Sequence, residues 1–306
     1  MILTVCLNPG VDVTYTVPSF MRGTSVTVEQ VEKRAGGKGI NTARALAQLG
    51  EAVVVCGFAG GQVGRWLRSM LATDALVEKL TSIEDETRQC VIVFDGEDAT
   101  VLNERGPTVT DAEWLAVLVD IERELEAASA ISLSGSVPRG CPPDAYAQLI
   151  RLAHAHGVPS VLDTSGSQLS TALSAGPDIT APNFHELQSA LGEAGNGIDL
   201  LSAATELQRR TGGAVVVSAG ENGLVAVSGG QRWSAQPERM LVGNPTGAGD
   251  ALTAALARGL SRSQDWPTML TESIALAGAA VVSRFAGDID LAAYHLLLAN
   301  STVREL

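Results

Sequence analysis

Basic residues are scarce in this 306-residue chain: 21 Lys and Arg stand against 34 Asp and Glu, a net charge of −13. A general nucleic-acid binder needs a basic field, so that class is disfavoured, and an anionic small substrate would have to be met by a local basic cluster. Cysteines are few as well. Cys6, Cys56, Cys90 and Cys141 form no C-x-x-C pair, which argues against a disulfide or zinc framework and predicts buried apolar thiols in a reducing compartment. No apolar run reaches the length of a membrane-spanning helix. The opening MILTVCLNPG is too short and lacks the basic residues of a signal peptide. These absences predict a cytoplasmic protein that spans no membrane and binds no nucleic acid.

What is present points to an α/β protein. The chain is 45% hydrophobic with 32 glycines and 12 prolines, enough for a sizeable core in one large domain or two smaller ones. Apolar runs at 2–7, 52–57, 130–133, 160–163 and 214–218 read as buried strands. They alternate with helical patterns, including 110–127 with a Thr110/Glu113 capping box and 142–157 with Pro143 in its first turn. Helices at 266–284 and 291–298 are expected to close the chain. Segments 11–34 and 87–105 instead alternate polar with β-branched residues, the mark of half-exposed strands, and predict a small lid sheet. The fold expected is a doubly wound, mostly parallel sheet flanked by helices, a single domain over 1–306 with the lid built from those two insertions.

Polar and glycine-rich segments recur at the strand ends, where open α/β sheets bind ligands. Asp12 follows the first strand, as ligand contact or turn cap. Gly36-Gly37-Lys38-Gly39 leads into a helix carrying Asn41. It is no Walker A loop, since Glu32 replaces the first glycine and Gly39 the Ser/Thr. Nor do the glycines from Gly57 make a dinucleotide fingerprint, because Ala59 holds the middle position. Arg88 and Arg105 flank the lid hairpin, where they either reach a phosphate or lie solvated. Asn183 and Glu186, three apart, suit a hydrated Mg²⁺ or a capping box equally well. Gly247-Ala248-Gly249-Asp250 opens an Ala/Leu-rich helix. That is a seat for phosphate, with Asp250 either functional or complementing the helix dipole.

Four motifs in order, Gly36-Gly37-Lys38-Gly39-Ile40-Asn41, Ser134-Gly135-Ser136-Val137-Pro138, Pro182-Asn183 with Glu186, and Gly247-Ala248-Gly249-Asp250, resemble those of the ribokinase-like PfkB carbohydrate kinases. Leu7-Asn8-Pro9 with Asp12, and Thr87-Arg88, resemble the 1-phosphofructokinase and tagatose-6-phosphate kinase branch. The resemblance implies ATP and Mg²⁺ as cofactors and a phosphosugar acceptor, fructose 1-phosphate first, with tagatose 6-phosphate and fructose 6-phosphate next. Unphosphorylated sugars or nucleosides are further alternatives, and a non-catalytic sugar-phosphate sensor is the alternative class. It implies Asp250 as general base and the amides of Gly247, Ala248 and Gly249 as anion hole. Asp12, Gly37, Lys38, Asn41, Arg88 and Ser136 fall at its substrate positions. Asn183 and Glu186 fall at its metal-ordering positions, and Ser218, Gly220 and Gly223 in its nucleotide-contacting turn. A homodimer through the lid is implied too. Ala181 stands where the branch usually carries lysine, which implies a weaker nucleotide contact or a substitute cation.

Overall fold

The computed structural model describes residues 1–195, 197–239 and 241–306. The first strand, β1 (Ile2–Cys6), shows why the sequence folds as it does. Side chains alternate across a strand, so Ile2 and Cys6 enter one core layer while Leu3 and Val5, with Leu7 beyond, enter another. A strand covered on both faces has no polar side, hence the continuous apolar run. The strands parallel to it in the same sheet are β4 (Val53–Gly60), β5 (Val77–Ile83), β8 (Ala130–Ser134), β9 (Ser160–Asp163), β10 (Ile179–Thr180) and β11 (Ala214–Ser218). Three more, β12 (Leu224–Ser228), β13 (Gln231–Pro237) and β14 (Ser301–Glu305), complete a 10-stranded sheet ordered β14-β13-β12-β11-β10-β9-β8-β1-β4-β5. Pairing is parallel from β11 to β5 and antiparallel from β11 to β14.

Helices cover both faces, as a doubly wound sheet requires. One core layer takes α1 (Lys38–Gln48), α2 (Gly61–Thr73), α8 (Ala248–Ser261), α9 (Trp266–Val281) and α10 (Leu291–Ala299). The opposite face takes α3 (Asp111–Leu125), α4 (Ala145–Ala155), α5 (Gly166–Ala172), α6 (Phe184–Leu191) and α7 (Leu200–Thr211). The expected Thr110/Glu113 capping box starts α3. No helix is long and apolar enough to cross a membrane among the described residues.

The lid is a 4-stranded sheet, β3-β2-β6-β7, from β2 (Gly10–Thr16), β3 (Gln30–Gly36), β6 (Arg88–Phe94) and β7 (Ala99–Asn103). A lid from 11–34 and 87–105 was expected, with its strands antiparallel; β2–β3 and β6–β7 are antiparallel, but β2 pairs β6 in parallel, because the two segments come from separate insertions and no hairpin joins them. Other expectations are corrected. The first turn placed at Pro142-Pro143 is a separate turn ahead of α4, closed by the Ala145 amide on the Pro142 carbonyl at 3.0 Å, an i to i+3 bond that the helix does not continue. Helix α9 stops at Val281, leaving 282–290 as a loop. The chain closes on a strand, β14, and β5 also went unread: VEKLTSI and STVRE are polar sequences at sheet edges, without the buried apolar run used to find the others. Cys6, Cys56 and Cys90 are buried free thiols as expected, while Cys141 is half-buried.

Candidate active site

The turn Asn244–Gly247 leads into α8. Thr246 N–H donates to Asn244 Oδ1 (3.0 Å), and Gly247 takes the N-cap with φ 91°. A methyl group at Gly247 would lie 2.9 Å from Ala286 Cα, so both φ and space demand glycine there. No side chain caps this helix start. Of the amides expected to form the cradle, Ala248 N–H is spent on the Pro245 carbonyl (3.1 Å), whereas those of Gly247 and Gly249 have no partner among the described residues. Asp250, 6% exposed, receives Asn41 Nδ2 on Oδ2 at 2.8 Å, and Thr42 Oγ1 donates to its backbone carbonyl at 3.2 Å. Burial pushes the Asp250 carboxyl up to about 7. The Asp163 charge adds to this, and the Asn41 bond and Lys38 oppose it. Asp250 is therefore more than a helix-dipole partner: it is a buried carboxylate poised near neutrality.

Lys38 opens α1. Its Nζ lies 2.9 Å from Asp163 Oδ1, with side chains 40% and 4% exposed respectively. Burial opposes the Lys38 charge, but Asp163 offsets it and holds the ammonium above its ordinary pKa. The other Asp163 oxygen is buried without a partner. Asp163 was not singled out in the sequence. Its signal was the one that drew attention to Asp12, a carboxylate at the C-terminal end of a buried strand.

On the lid side, Asp12, Arg34, Cys90 and Asn103 fall in one row across four strands. Burial raises the Asp12 carboxyl, with Arg88 and Arg44 opposing. Arg88 Nε donates to the Asn8 carbonyl (3.0 Å), and Asn8 Nδ2 donates to Ser136 Oγ (3.0 Å). Asp12, Gly37, Lys38, Asn41, Arg88, Ser136, Asn183, Ser218, Gly220, Gly223, Gly247, Ala248, Gly249 and Asp250 all line one cavity of about 1090 Å³, with Arg105 and Arg239 at its wall. The cavity is polar toward the lid and apolar toward Leu224, Leu241, Ile274 and Leu297. Glu186 is absent from the wall. It forms the capping box of α6 with Asn183, at 3.0 and 2.9 Å. The bland reading of this pair is thus realised, and it commits only one carboxylate oxygen of Glu186.

Residues 6–290 match the pfkB family carbohydrate kinases. The chain belongs to this family. As a pfkB kinase it is a phosphotransferase with an alcohol acceptor. Among solved structures it is similar to phosphofructokinase-2 from Escherichia coli in complex with fructose-6-phosphate (26% identity, TM-score 0.86), covering 97% of this chain and 98% of that one. It is also similar to a possible 1-phosphofructokinase from Thermotoga maritima (25% identity, TM-score 0.87), covering 100% and 99%. Ribokinase from Thermotoga maritima (18% identity, TM-score 0.80) shares the fold, over 98% of this chain and 99% of that one. In this pfkB kinase Ala181 is buried at 5% exposure, so no amine is supplied at that position. The cations at the cavity are Lys38, Arg88, Arg105 and Arg239.

Proposed function

We propose that this kinase transfers the γ-phosphoryl group of ATP to a hydroxyl of a phosphorylated ketohexose, fructose 1-phosphate first, giving fructose 1,6-bisphosphate and ADP. The observation that carries the reading is the pairing of Asp250, with its carboxyl at about 7, with an uncapped helix start on the wall of the cavity. Asp250 accepts the hydroxyl proton as the sugar oxygen attacks the γ-phosphorus and the bond to the ADP oxygen breaks. The amides of Gly247 and Gly249 meet the charge spreading over the phosphoryl oxygens. Asn41 orients the base. Asp12 takes sugar hydroxyls, and Arg88 holds the sugar's phosphate near Ser136 and Asn8. The Ser218–Gly223 turn and the apolar end seat the nucleotide. Lys38, Arg88, Arg105 and Arg239 share the wall with Asp12, Glu104, Glu221 and Asp250, so anionic groups of the substrates are met by individual cations and not by a uniformly basic surface.

The donors fit Mg²⁺. Glu186 keeps one carboxylate oxygen free of its capping box, Asp163 has an orphaned buried oxygen, and both are hard ligands. No cluster of three metal-binding side chains exists among the described residues, which suits an ion held largely through water by Asn183 and Glu186. When bound it supplies charge neutralisation to the nucleotide phosphates.

A coupled assay of ADP release over fructose 1-phosphate, tagatose 6-phosphate, fructose 6-phosphate, free sugars and nucleosides tests the reading. Fructose 6-phosphate is the second candidate, favoured by likeness to the Escherichia coli enzyme solved with that sugar phosphate. Preference for a free sugar or nucleoside would sink the phosphosugar assignment, and no turnover with any acceptor would favour the sensor. Arg88→Ala is expected to raise KM for the phosphosugar roughly tenfold to hundredfold, the worth of a hydrogen bond to a charged group, leaving KM for ATP nearly unchanged.

The cavity-facing side of the lid leaves Phe94 and Val101 38% and 50% exposed. We take a second copy of the chain as their cover, working in the cytoplasm, with the lid an integral part of one domain. Light scattering is expected to give a dimer for the wild type and a monomer for Phe94→Glu/Val101→Lys. A monomeric wild type would overturn this.

A further inference from the structure

The loop between α9 and α10 touches three parts of the site at once. Toward the lid, Asp288 accepts both arms of Arg34 (2.7 and 2.6 Å), and Arg284 pairs with Glu32 at 2.7 Å. Phe285 lies beneath both guanidinium groups, 4.5 and 4.7 Å from their centres to the ring. Toward α1, Gln48 clamps the loop from both directions: its Nε2 donates to the Gly287 carbonyl (2.8 Å) and its Oε1 accepts the Ile289 amide (3.0 Å). A methyl at Gly287 would lie 2.9 Å from Asn41 Cα, so the loop backbone rests on the residue that orients Asp250. Toward α8, Ala286 packs against Gly247, the N-cap of the phosphate cradle.

We propose that Arg34 and Asp288 are positioning residues, forming with Arg284 and Glu32 a clasp that ties the posture of the lid to the geometry of the Gly247–Asp250 turn. A bidentate arginine–carboxylate pair fixes orientation as well as distance, so the lid strand β3 cannot shift without pulling Asp288. Phe285 to Gly287 pass that displacement to Gly247 through close backbone packing, because tightly packed segments transmit strain. Within the turn Asn244 Oδ1 holds only the Thr246 amide and no side chain caps the start of α8, so the directions of the Gly247 and Gly249 amides depend on what packs against them. The clasp thus couples closure over the sugar to readiness of the amides that receive the phosphoryl group. This rests on the phosphoryl-transfer reading of the same cavity but not on the identity of the sugar.

The test compares Asp288→Asn, Arg34→Gln and the swap Arg34→Asp/Asp288→Arg with the wild type, using whichever acceptor the wild type turns over. Each single variant is expected to lower kcat on the order of tenfold to a hundredfold, as a small misplacement of reacting groups does, with KM for ATP and sugar nearly constant. The swap is expected to recover a substantial part of kcat. Amide hydrogen exchange gives a readout that needs no acceptor: Asp288→Asn should speed exchange at 246–250 as well as in 284–290 and 30–36. Unchanged kcat in the single variants, or faster exchange confined to the loop and β3, would overturn the clasp. A wild type inactive on every acceptor, with the exchange at 246–250 still responding, would sink the kinase reading and leave the coupling standing.

Discussion

Asp250→Asn is expected to lower kcat by about 10³-fold or more while nucleotide binding is retained, since general-base catalysis contributes roughly 10²–10⁴-fold and Asn41 bonds no other carboxylate among the described residues. Its pH behaviour follows from the same burial. A base must be ionised to accept a proton, and this carboxyl sits at about 7. The wild-type kcat/KM should therefore rise with pH through neutrality, level off above it, and fall about tenfold per pH unit on the acid side. Stability runs the other way. A carboxyl raised from 3.8 to about 7 in the folded state favours folding fully at low pH, and that favour is lost as pH rises through about 7. At about 1.4 kcal/mol per pH unit the loss is on the order of 4 kcal/mol. The Asn variant escapes it, so its Tm should exceed that of the wild type at alkaline pH and converge on it near the ordinary Asp range. Undiminished turnover in the variant, or a wild-type rate flat across neutrality, would remove Asp250 as the base.

Lys38→Met carries the second large effect, on activity and stability together. It strips the partner from a carboxylate that is 4% exposed and already has one oxygen unsatisfied. Breaking a buried pair costs about 3–5 kcal/mol, an upper bound here because the Lys38 side chain is 40% exposed and partly screened. It also removes a charge that restrains the Asp250 carboxyl and leaves Asp163 to push that group higher. The acid limb of the rate profile should then move to higher pH, and kcat/KM should fall about 10²-fold or more with the loss of a cation from the cavity wall. Adding Asp163→Asn should restore most of the stability and little of the rate. If the double variant is as fast as the wild type, Lys38 serves only to neutralise Asp163.

The sequence made the core legible because buried parallel strands are uniformly apolar, and β1, β8, β9 and β11 were found that way. The edge strands β5 and β14 failed that rule because water covers part of them. The lid was legible as alternation, yet its parallel β2–β6 pairing was not, since period alone carries no direction. At the site, Asp250, Lys38 and Asn41 were found through their glycine-rich company. The Asn41–Asp250 and Lys38–Asp163 bonds join residues more than a hundred positions apart, and no local pattern announces such partners. The same holds for Asp288, which lies in a stretch read as the gap between two helices.

The parallel register of the lid, Gly10 beside Arg88, has a consequence for the order in which the molecule forms. Its two central strands are about eighty residues apart, and closing a loop of that length gains nothing until other contacts hold the ends. β1 runs into β2 and β5 runs into β6, so the parallel alignment of β1, β4 and β5 must form before β2 can find β6. The lid is therefore a late arrival in folding, and no fragment containing only its four strands should fold. A chain stalled before that step would already hold the Gly247–Asp250 turn, but not the wall of the cavity that Asp12 and Arg88 supply from the lid.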